Sequence, residues 1–168
     1  EDRNNFGEGE SALARYATRL SCVEINSSFH RPHRPATYAR WAATVPAGFR
    51  FSVKLPKTIS HVAGLRGTGP LLDRFLAEAG HLGDRLGALL LQLPPGLAFD
   101  AHVATTFFAM LRRRTDLPMA CEPRHASWFT PAAVDLLQRH AISRVAADPP
   151  RHPAGAAPAA DTRCAYWR

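Results

Sequence analysis

Short apolar runs that end in a polar or charged residue recur six times along this chain. Stretches with helical periodicity separate most of these runs, and repeated strand–helix units predict a parallel sheet. Such folds hold their ligands and reacting groups at the carboxyl ends of the strands. The pattern therefore predicts a polar site along one edge of the sheet, without naming a reaction. The runs occupy residues 22–26, 49–54, 88–92, 118–124, 143–148 and 164–168.

The bulk composition indicates one globular unit. The 168 residues, 46% of them hydrophobic, are enough to bury one core, so we expect a single domain over residues 1–168. No run of 18 or more apolar residues occurs, and no basic-then-apolar signal segment opens the chain. These features predict a cytoplasmic protein without a membrane partner, and they leave its oligomeric state open.

The net charge of +7 and the isoelectric point of about 10.2 are compatible with a nucleic-acid partner. Most of the arginines are scattered singly among alanines, as on an ordinary solvated surface. The one run, Arg112-Arg113-Arg114, falls at the expected end of a helix, where cations interact favourably with the helix dipole. Charge therefore makes nucleic-acid binding an alternative and not the first interpretation.

Apolar stripes at helical spacing predict the helices between the strands. Pro35 and Pro131 suit first turns, and Asp100 suits an N-cap. A stretch rich in Gly, Pro and Thr at 55–70 predicts a long loop of the kind that is usually functional or mobile. The expected helices are 11–20, 35–44, 71–82, one that follows residue 100, and 131–140.

Two architectures fit this alternation: a (β/α) barrel and an open doubly wound sheet. An open nucleotide-binding sheet normally has a glycine-rich turn after its first strand, whereas residues 26–31 read NSSFHR. Polar residues also end every unit and are not confined to one switch point. We therefore predict an α/β fold of the TIM-barrel type, with about six of the eight strands of such a barrel in this chain.

Side chains alternate along a strand, so residues two apart lie on one face. This rule places a set of polar side chains together at the expected barrel mouth. They form either a functional site or a group whose members pair with one another to fill the mouth. Because all six apolar runs end in a polar residue, the functional site is favoured. The set is Glu24, Asn26, Ser52, Lys54, Gln92, Glu122, Arg124, Asp148 and Arg168.

The residue types suggest how this site would work. Lys54 can act as a base, form a Schiff base or hold an anion, and Arg124 offers a planar fork to a carboxylate or phosphate. Carboxylates can serve as acid and base if their surroundings separate their pKa values. The predicted catalytic residues are Glu24, Lys54, Glu122 and Asp148, and the predicted substrate-binding residues are Asn26, Gln92, Arg124, His125, Trp128 and Arg168.

His125 and Trp128 belong to the densest polar and aromatic segment of the chain, residues 122–128. Trp128 could form an apolar wall for a sugar or base ring, or it could cap the core. A divalent metal held by carboxylates with His61 or His125 has little support, because no HxxE or HxH spacing occurs. No metal ligand is predicted, and the cofactor is left unknown.

Nine segments of the chain together make a specific pattern, although each is unremarkable alone: 23–29 (VEINSSF), Trp41, 48–54 (GFRFSVK), 82–84 (LGD), 91–95 (LQLPP), Phe99, 107–108 (FF), 121–129 (CEPRHASWF) and 146–148 (AAD). In this pattern the chain resembles the domain of unknown function 72 family, the YecE-like proteins. The resemblance implies a TIM-barrel-like fold. It also implies that a glycine-rich first strand and at least the last strand are missing, so that the chain is incomplete at both ends.

The family's activity is unassigned, so the residues must decide between functions. The first hypothesis is an enzyme that acts on an anionic small molecule, phosphorylated or carboxylated, at the strand ends. The alternative is a nucleic-acid-binding or nuclease-like barrel that uses arginines on phosphates and Trp128 for stacking. The third is a non-catalytic binding barrel, which the polar strand ends make the least favoured.

Overall fold

Five parallel strands form the centre of the molecule, and they pair in the order in which they follow one another along the chain. A short sixth strand pairs antiparallel with the fifth. The computed structural model describes residues 7–161 and 164–168. The strands are β1 (Cys22–Ile25), β2 (Arg50–Lys54), β3 (Leu86–Gln92), β4 (Met119–Glu122), β5 (Ile142–Arg144) and β6 (Ala159–Ala160).

A helix precedes β1, and another lies in each connection between consecutive parallel strands. Pro35 and Pro131 begin the second and fifth helices as expected, and Asp100 accepts hydrogen bonds from His102 N and Val103 N at the start of the fourth. None of the described helices combines the length and apolar character needed to cross a membrane. The helices are α1 (Ala12–Tyr16), α2 (Pro35–Thr44), α3 (Gly69–Ala79), α4 (Ala101–Arg112) and α5 (Pro131–Arg139).

Two helices have bounds that differ from the prediction by more than one residue. The helix expected at 11–20 is confined to Ala12–Tyr16. The one expected at 71–82 begins at Gly69 and ends at Ala79, after which a 3₁₀ turn covers Gly80–Arg85. Gly83 within that turn has φ +53°, a left-handed conformation that interrupts any helix.

Strand alternation divides the buried residues into two layers. Residues such as Phe51, Leu89 and Cys121 face the helices and belong to one large core. The opposite face carries a small apolar layer of Leu90, Ala120 and Val145, with Tyr166 packed against it. Residues paired in register across neighbouring strands lie on the same face of the sheet, as Leu90 and Ala120 do. The inner face is thus lined by few apolar residues and ends in polar ones.

The α/β class with a six-stranded, TIM-barrel-like sheet is confirmed. The prediction of a sixth parallel strand at 164–168 is wrong, because this segment is not a regular strand. Only a single bridge forms there, between Ala146 and Trp167. Main-chain hydrogen bonds nevertheless continue the ladder from Ala146 N to Tyr166 O, from Arg168 N to Ala146 O and from Asp148 N to Arg168 O. Among the described residues β1 and this segment do not pair, so the sheet does not close.

The loop expected at 55–70 is packed and partly helical. A single π-helical turn covers Thr58–Val62. Leu55, Ile59 and Leu65 of this loop are buried in the main core. The apolar residues are too irregularly spaced to predict a helix, and for that reason the sequence alone suggested a loop without structure of its own.

Candidate functional site

Inward-facing side chains at the carboxyl ends of the strands meet in one hydrogen-bonded group. Gln92 at the end of β3 is the register partner of Glu122 at the end of β4, so the two side chains are neighbours on one face. Lys54 ends the adjacent strand β2. This group, the strand-end cluster, consists of Glu24, Lys54, Gln92, Glu122, Arg124 and Arg168.

The amide oxygen of Gln92 accepts hydrogen bonds from three cations. Lys54 Nζ lies 2.9 Å from Gln92 Oε1, and Nη2 of Arg124 and Nη1 of Arg168 each lie 3.2 Å from it. An amide oxygen has two lone pairs and no net charge, so it cannot match three cationic donors. The middle of the strand-end cluster is therefore electropositive and poor in acceptors.

Arg168 is held by both carboxylates of the cluster. Its Nε and Nη2 donate to Oε2 and Oε1 of Glu24 at 3.0 and 3.1 Å, which is the bidentate geometry preferred by guanidinium and carboxylate. Its Nη1 donates to Glu122 Oε2 at 2.8 Å, while Arg124 donates to Glu122 Oε1 at 2.9 Å. Both carboxylates therefore orient guanidinium groups.

Lys54 is a buried ammonium without a carboxylate of its own. The residue is 4% exposed, and Gln92 supplies its one hydrogen bond to the described residues. The ammonium also lies 4.2 Å from the centre of the Phe29 ring, a cation–π contact. Burial lowers the pKa of Lys54 and Arg168 lowers it further, whereas the cluster's carboxylates raise it.

Tyr166 is part of the site but was not predicted from the sequence. Its hydroxyl is hydrogen-bonded to Glu24 Oε2 at 3.0 Å and to Ser52 Oγ at 2.8 Å. Burial raises the pKa of this hydroxyl, so the side chain stays neutral near neutral pH. The available signal was its position two residues before Arg168, since alternation places both on one face of the chain.

Four predicted site residues lie outside the cluster: Asn26, His125, Trp128 and Asp148. Asn26 is exposed at the turn after β1, and Asp148 is also exposed. Neither side chain makes a hydrogen bond to the described residues. Asp148 lies along a cavity beside Glu122, Arg124 and Arg168 of the cluster but forms no hydrogen bond with them. Asp148, predicted to be catalytic, is thus not hydrogen-bonded to the described residues of the cluster.

A cavity of about 510 Å³ adjoins the cluster at the carboxyl ends of β4 and β5. It is lined by Glu122, Arg124, Asp148, Arg151 and Arg168 together with small residues and prolines. A second cavity of about the same volume lies along the strands between β1, β2, β3 and the segment at 165–167, with Glu24, Arg50, Ser52 and Tyr166 among its polar lining residues. The first cavity is the better candidate for binding an anion, because three guanidinium groups surround it.

The side chains of His125 and Trp128 take part in local packing and capping and form no hydrogen bond to the cluster. Trp128 is 1% exposed, its Nε1 donates to Leu97 O at 2.9 Å, and its ring packs on Phe99, so the indole is part of the core. His125 caps the 3₁₀ turn Ala126–Phe129 by accepting from Ser127 N. Their positions beside Arg124 in sequence suggested a shared site, but the chain turns away from the cluster at this point.

Some of the residues behind the nucleic-acid alternative, namely Arg112, Arg114 and Trp128, make contacts within the fold. Arg112 donates to main-chain carbonyls, with His140 O at 2.9 Å and Ala141 O at 2.7 Å, and so joins α4 to the start of β5. Arg114 pairs with Asp73 of α3. The indole of Trp128 is buried. The arginine run thus connects elements of the fold.

Within residues 7–161 and 164–168, no three His, Cys, Asp or Glu side chains come together as a metal-binding group. The carboxylate oxygens of Glu24 and Glu122 accept hydrogen bonds from guanidinium groups instead. His61 and His125 hydrogen-bond to the neighbouring hydroxyls of Ser60 and Ser127. The polar groups of the cluster are therefore arranged as ion pairs and not as a set of metal ligands.

Comparison with known proteins places this fold among proteins whose activity is not assigned. Residues 4–168 match the family model described as protein of unknown function DUF72. The UPF0759 protein YecE of Escherichia coli strain K12 is 38% identical over 86 residues, which are 51% of this chain and 32% of YecE.

Solved structures of DUF72 family proteins have a similar fold. One from Enterococcus faecalis V583 superposes with a TM-score of 0.71 at 24% identity, covering 84% of this chain and 55% of that protein. Another, from Thermotoga maritima MSB8, gives a TM-score of 0.64 at 25% identity, covering 77% and 51%. The chain thus spans about half the length of these solved relatives.

Proposed function

The chain belongs to the DUF72 family of proteins of unknown function, and we propose that its strand-end cluster binds a small anionic molecule, phosphorylated or carboxylated, and acts on it as an enzyme. The observation that carries this proposal is the convergence of three cations on the neutral oxygen of Gln92. A carboxylate or phosphate oxygen would supply the charge that the amide lacks. An anionic oxygen forms ion pairs with these donors, whereas the amide oxygen can only accept their hydrogen bonds.

The residues of the cluster divide into three roles in this proposal. Arg124 and Arg168 bind the anion, because planar guanidinium groups match the oxygens of carboxylates and phosphates. Glu24 and Glu122 hold those guanidinium groups in place at 2.8–3.1 Å. Lys54 is the candidate reacting group, because its lowered pKa increases the fraction of free amine that can act as a base or nucleophile.

The proposal keeps to small anions and does not extend to nucleic acids. A nucleic acid needs an exposed basic surface and, for single strands, exposed aromatic rings. Arg124 and Arg168 of the cluster line a cavity of about 510 Å³, a size that suits a small molecule. A non-catalytic binding barrel has the same geometry and is distinguished from an enzyme only by turnover.

The test is a thermal-shift screen of the full chain against inorganic phosphate, sulfate, sugar phosphates and di- and tricarboxylates. A ligand that binds only the native state stabilises it by about 2.7 kcal/mol when its concentration is about a hundred times Kd. The melting temperature rises as a result. Lys54→Met is the test variant. Lys57→Met is its matched control, because Lys57 is exposed and is the only other lysine.

We expect at least one anion to stabilise the native chain and Lys57→Met but not Lys54→Met. Each stabilising anion is then incubated with the protein and followed by NMR for chemical change. Stabilisation without conversion would replace the enzyme by a binding barrel. The absence of any Lys54-dependent shift across the panel would remove the anion site altogether, and a shift with short oligonucleotides alone would favour the nucleic-acid alternative.

A further inference from the structure

His61 lies beside the strand-end cluster on the segment that follows β2. Its turn, Thr58–Val62, is a single π-helical turn, a form that is frequent at functional sites. Ile59 and Ser60 of the same turn are 0% and 1% exposed, so the turn is anchored in the protein. His61 itself is half-buried. A fixed segment therefore presents the imidazole at the carboxyl ends of the strands.

Phe29 connects His61 with Lys54. The His61 ring lies 5.0 Å from the Phe29 ring, centre to centre, with the planes at 80°. The Lys54 ammonium lies 4.2 Å from the centre of the same Phe29 ring. The imidazole and the ammonium thus pack against one aromatic side chain.

One ring nitrogen of His61 is already engaged. Nδ1 lies 2.8 Å from Ser60 Oγ, and Ser60 is buried. Nε2 makes no hydrogen bond to the described residues. When the neutral ring carries its hydrogen on Nδ1 and donates it to Ser60, the lone pair of Nε2 is left for a ligand.

The charged groups that act on His61 are Lys54, at the end of β2, and Arg124, just beyond β4. Burial lowers the pKa of the imidazole, and these two cations lower it further. An anion bound to the same two cations would offset their charge. Protonation of the imidazole would then require less free energy. Anion binding and proton uptake therefore favour each other.

We propose that His61 is the proton acceptor of the strand-end cluster and that its Nε2 takes up a proton when an anion binds beside Lys54 and Arg124. This inference rests on the proposed function, because it requires an anion at that place. The proton comes from an O–H group of the ligand or from solvent water. The O–H bond breaks, an N–H bond forms at Nε2, and the electron pair stays on the oxygen that the cations stabilise.

The experiment follows the histidine ring signals by NMR across a pH titration, with and without inorganic sulfate. Sulfate is the probe because its charge is constant while histidine titrates. We expect sulfate to raise the pKa of His61 by about one unit, a tenfold gain in proton affinity. His140 is the internal control, because burial, Arg139 and Arg112 lower its pKa without a contribution from the cluster.

Two variants make the result specific. In Lys54→Met the pKa of His61 is higher without sulfate, and sulfate no longer changes it. In His61→Asn, which keeps a polar partner for Ser60, sulfate binds with the same affinity at about pH 6 and about pH 8. The native chain binds sulfate several-fold more tightly at the lower pH.

The outcomes separate this inference from the proposal beneath it. If sulfate stabilises the protein through Lys54 while the pKa of His61 stays constant, the anion site stands and the role of His61 is overturned. If sulfate produces neither a Lys54-dependent thermal shift nor a change in the His61 pKa, a phosphate-like anion site and the role of His61 both fail.

Discussion

Gln92 is the residue on which the electrostatics of the strand-end cluster depend. It is 7% exposed and stands between three cations, and the cluster has only two carboxylates to offset them. A neutral side chain at this position leaves one positive charge without a negative partner within the cluster. That excess would attract an anionic ligand, and it would be lost if the residue itself carried a charge.

Replacing Gln92 by Glu tests this balance with a side chain of the same size. The carboxylate would place a negative charge opposite the three cationic donors and turn these hydrogen bonds into ion pairs, so we expect the free energy of unfolding to rise by about 1–2 kcal/mol. We also expect sulfate to lose most of its stabilising effect. Urea denaturation with and without sulfate measures the free energy of unfolding and the stabilisation by sulfate. The control is Gln138→Glu, on the exposed side of α5. A less stable Gln92→Glu would mean that desolvation outweighs the cations.

At the scale of elements, the short turn after β1 positions both the aromatic and the cationic parts of the site. Ser28 of this turn, Ser27–Phe29, is 1% exposed. Its hydroxyl lies 3.0 Å from Ile25 O and 2.7 Å from Lys54 O, so one hydrogen is shared between the ends of β1 and β2. The same turn carries Phe29 against the Lys54 ammonium. A single buried serine thus couples two strand ends.

Ser28→Ala should reduce the free energy of unfolding by about 1–3 kcal/mol, because the buried carbonyls lose a donor that no water replaces. Ser27→Ala is the matched control, since its hydroxyl is exposed and contacts only the His33 ring among the described residues. Urea denaturation of both variants gives the comparison. Equal losses for the two serines would show that Ser28 does not hold the strand ends together.

At the scale of the whole molecule, the curl of the sheet brings its two ends together across the interior. Tyr166 and Arg168, from the segment that extends the sheet beyond β5, contact Glu24 of β1. Tyr166 also contacts Ser52 of β2. These contacts join residues more than 100 positions apart and do not involve main-chain pairing. Side chains therefore bridge the interior where the sheet is not closed.

A double-mutant cycle of Tyr166→Phe with Ser52→Ala measures this bridge. We expect the two changes to be coupled by roughly 0.5–3 kcal/mol in the free energy of unfolding, because they remove the same hydrogen bond. A parallel cycle of Tyr166→Phe with Ser27→Ala should be additive within about 0.5 kcal/mol, since those residues share no partner. Additivity in both cycles would indicate that the two ends of the sheet are not joined through this contact.

Local patterns in the sequence determined the α/β class, the order of the strands and most members of the strand-end cluster. Alternation along a strand and the periodicity of a helix depend on neighbouring residues, so Glu24, Lys54, Gln92 and Glu122 could be assigned to one face without coordinates. The same local rules placed the helix starts at Pro35 and after Asp100.

Only the tertiary structure decided which of the polar residues meet. Trp128 has the sequence context of the site but is buried against Phe99, while Tyr166 looked like part of a strand and is hydrogen-bonded to Glu24 of the cluster. Asp148 follows a strand like the others, yet it is exposed and makes no hydrogen bond to the described residues. The reason is physical: partners at long separation depend on the register and curl of the whole sheet, which no short segment encodes.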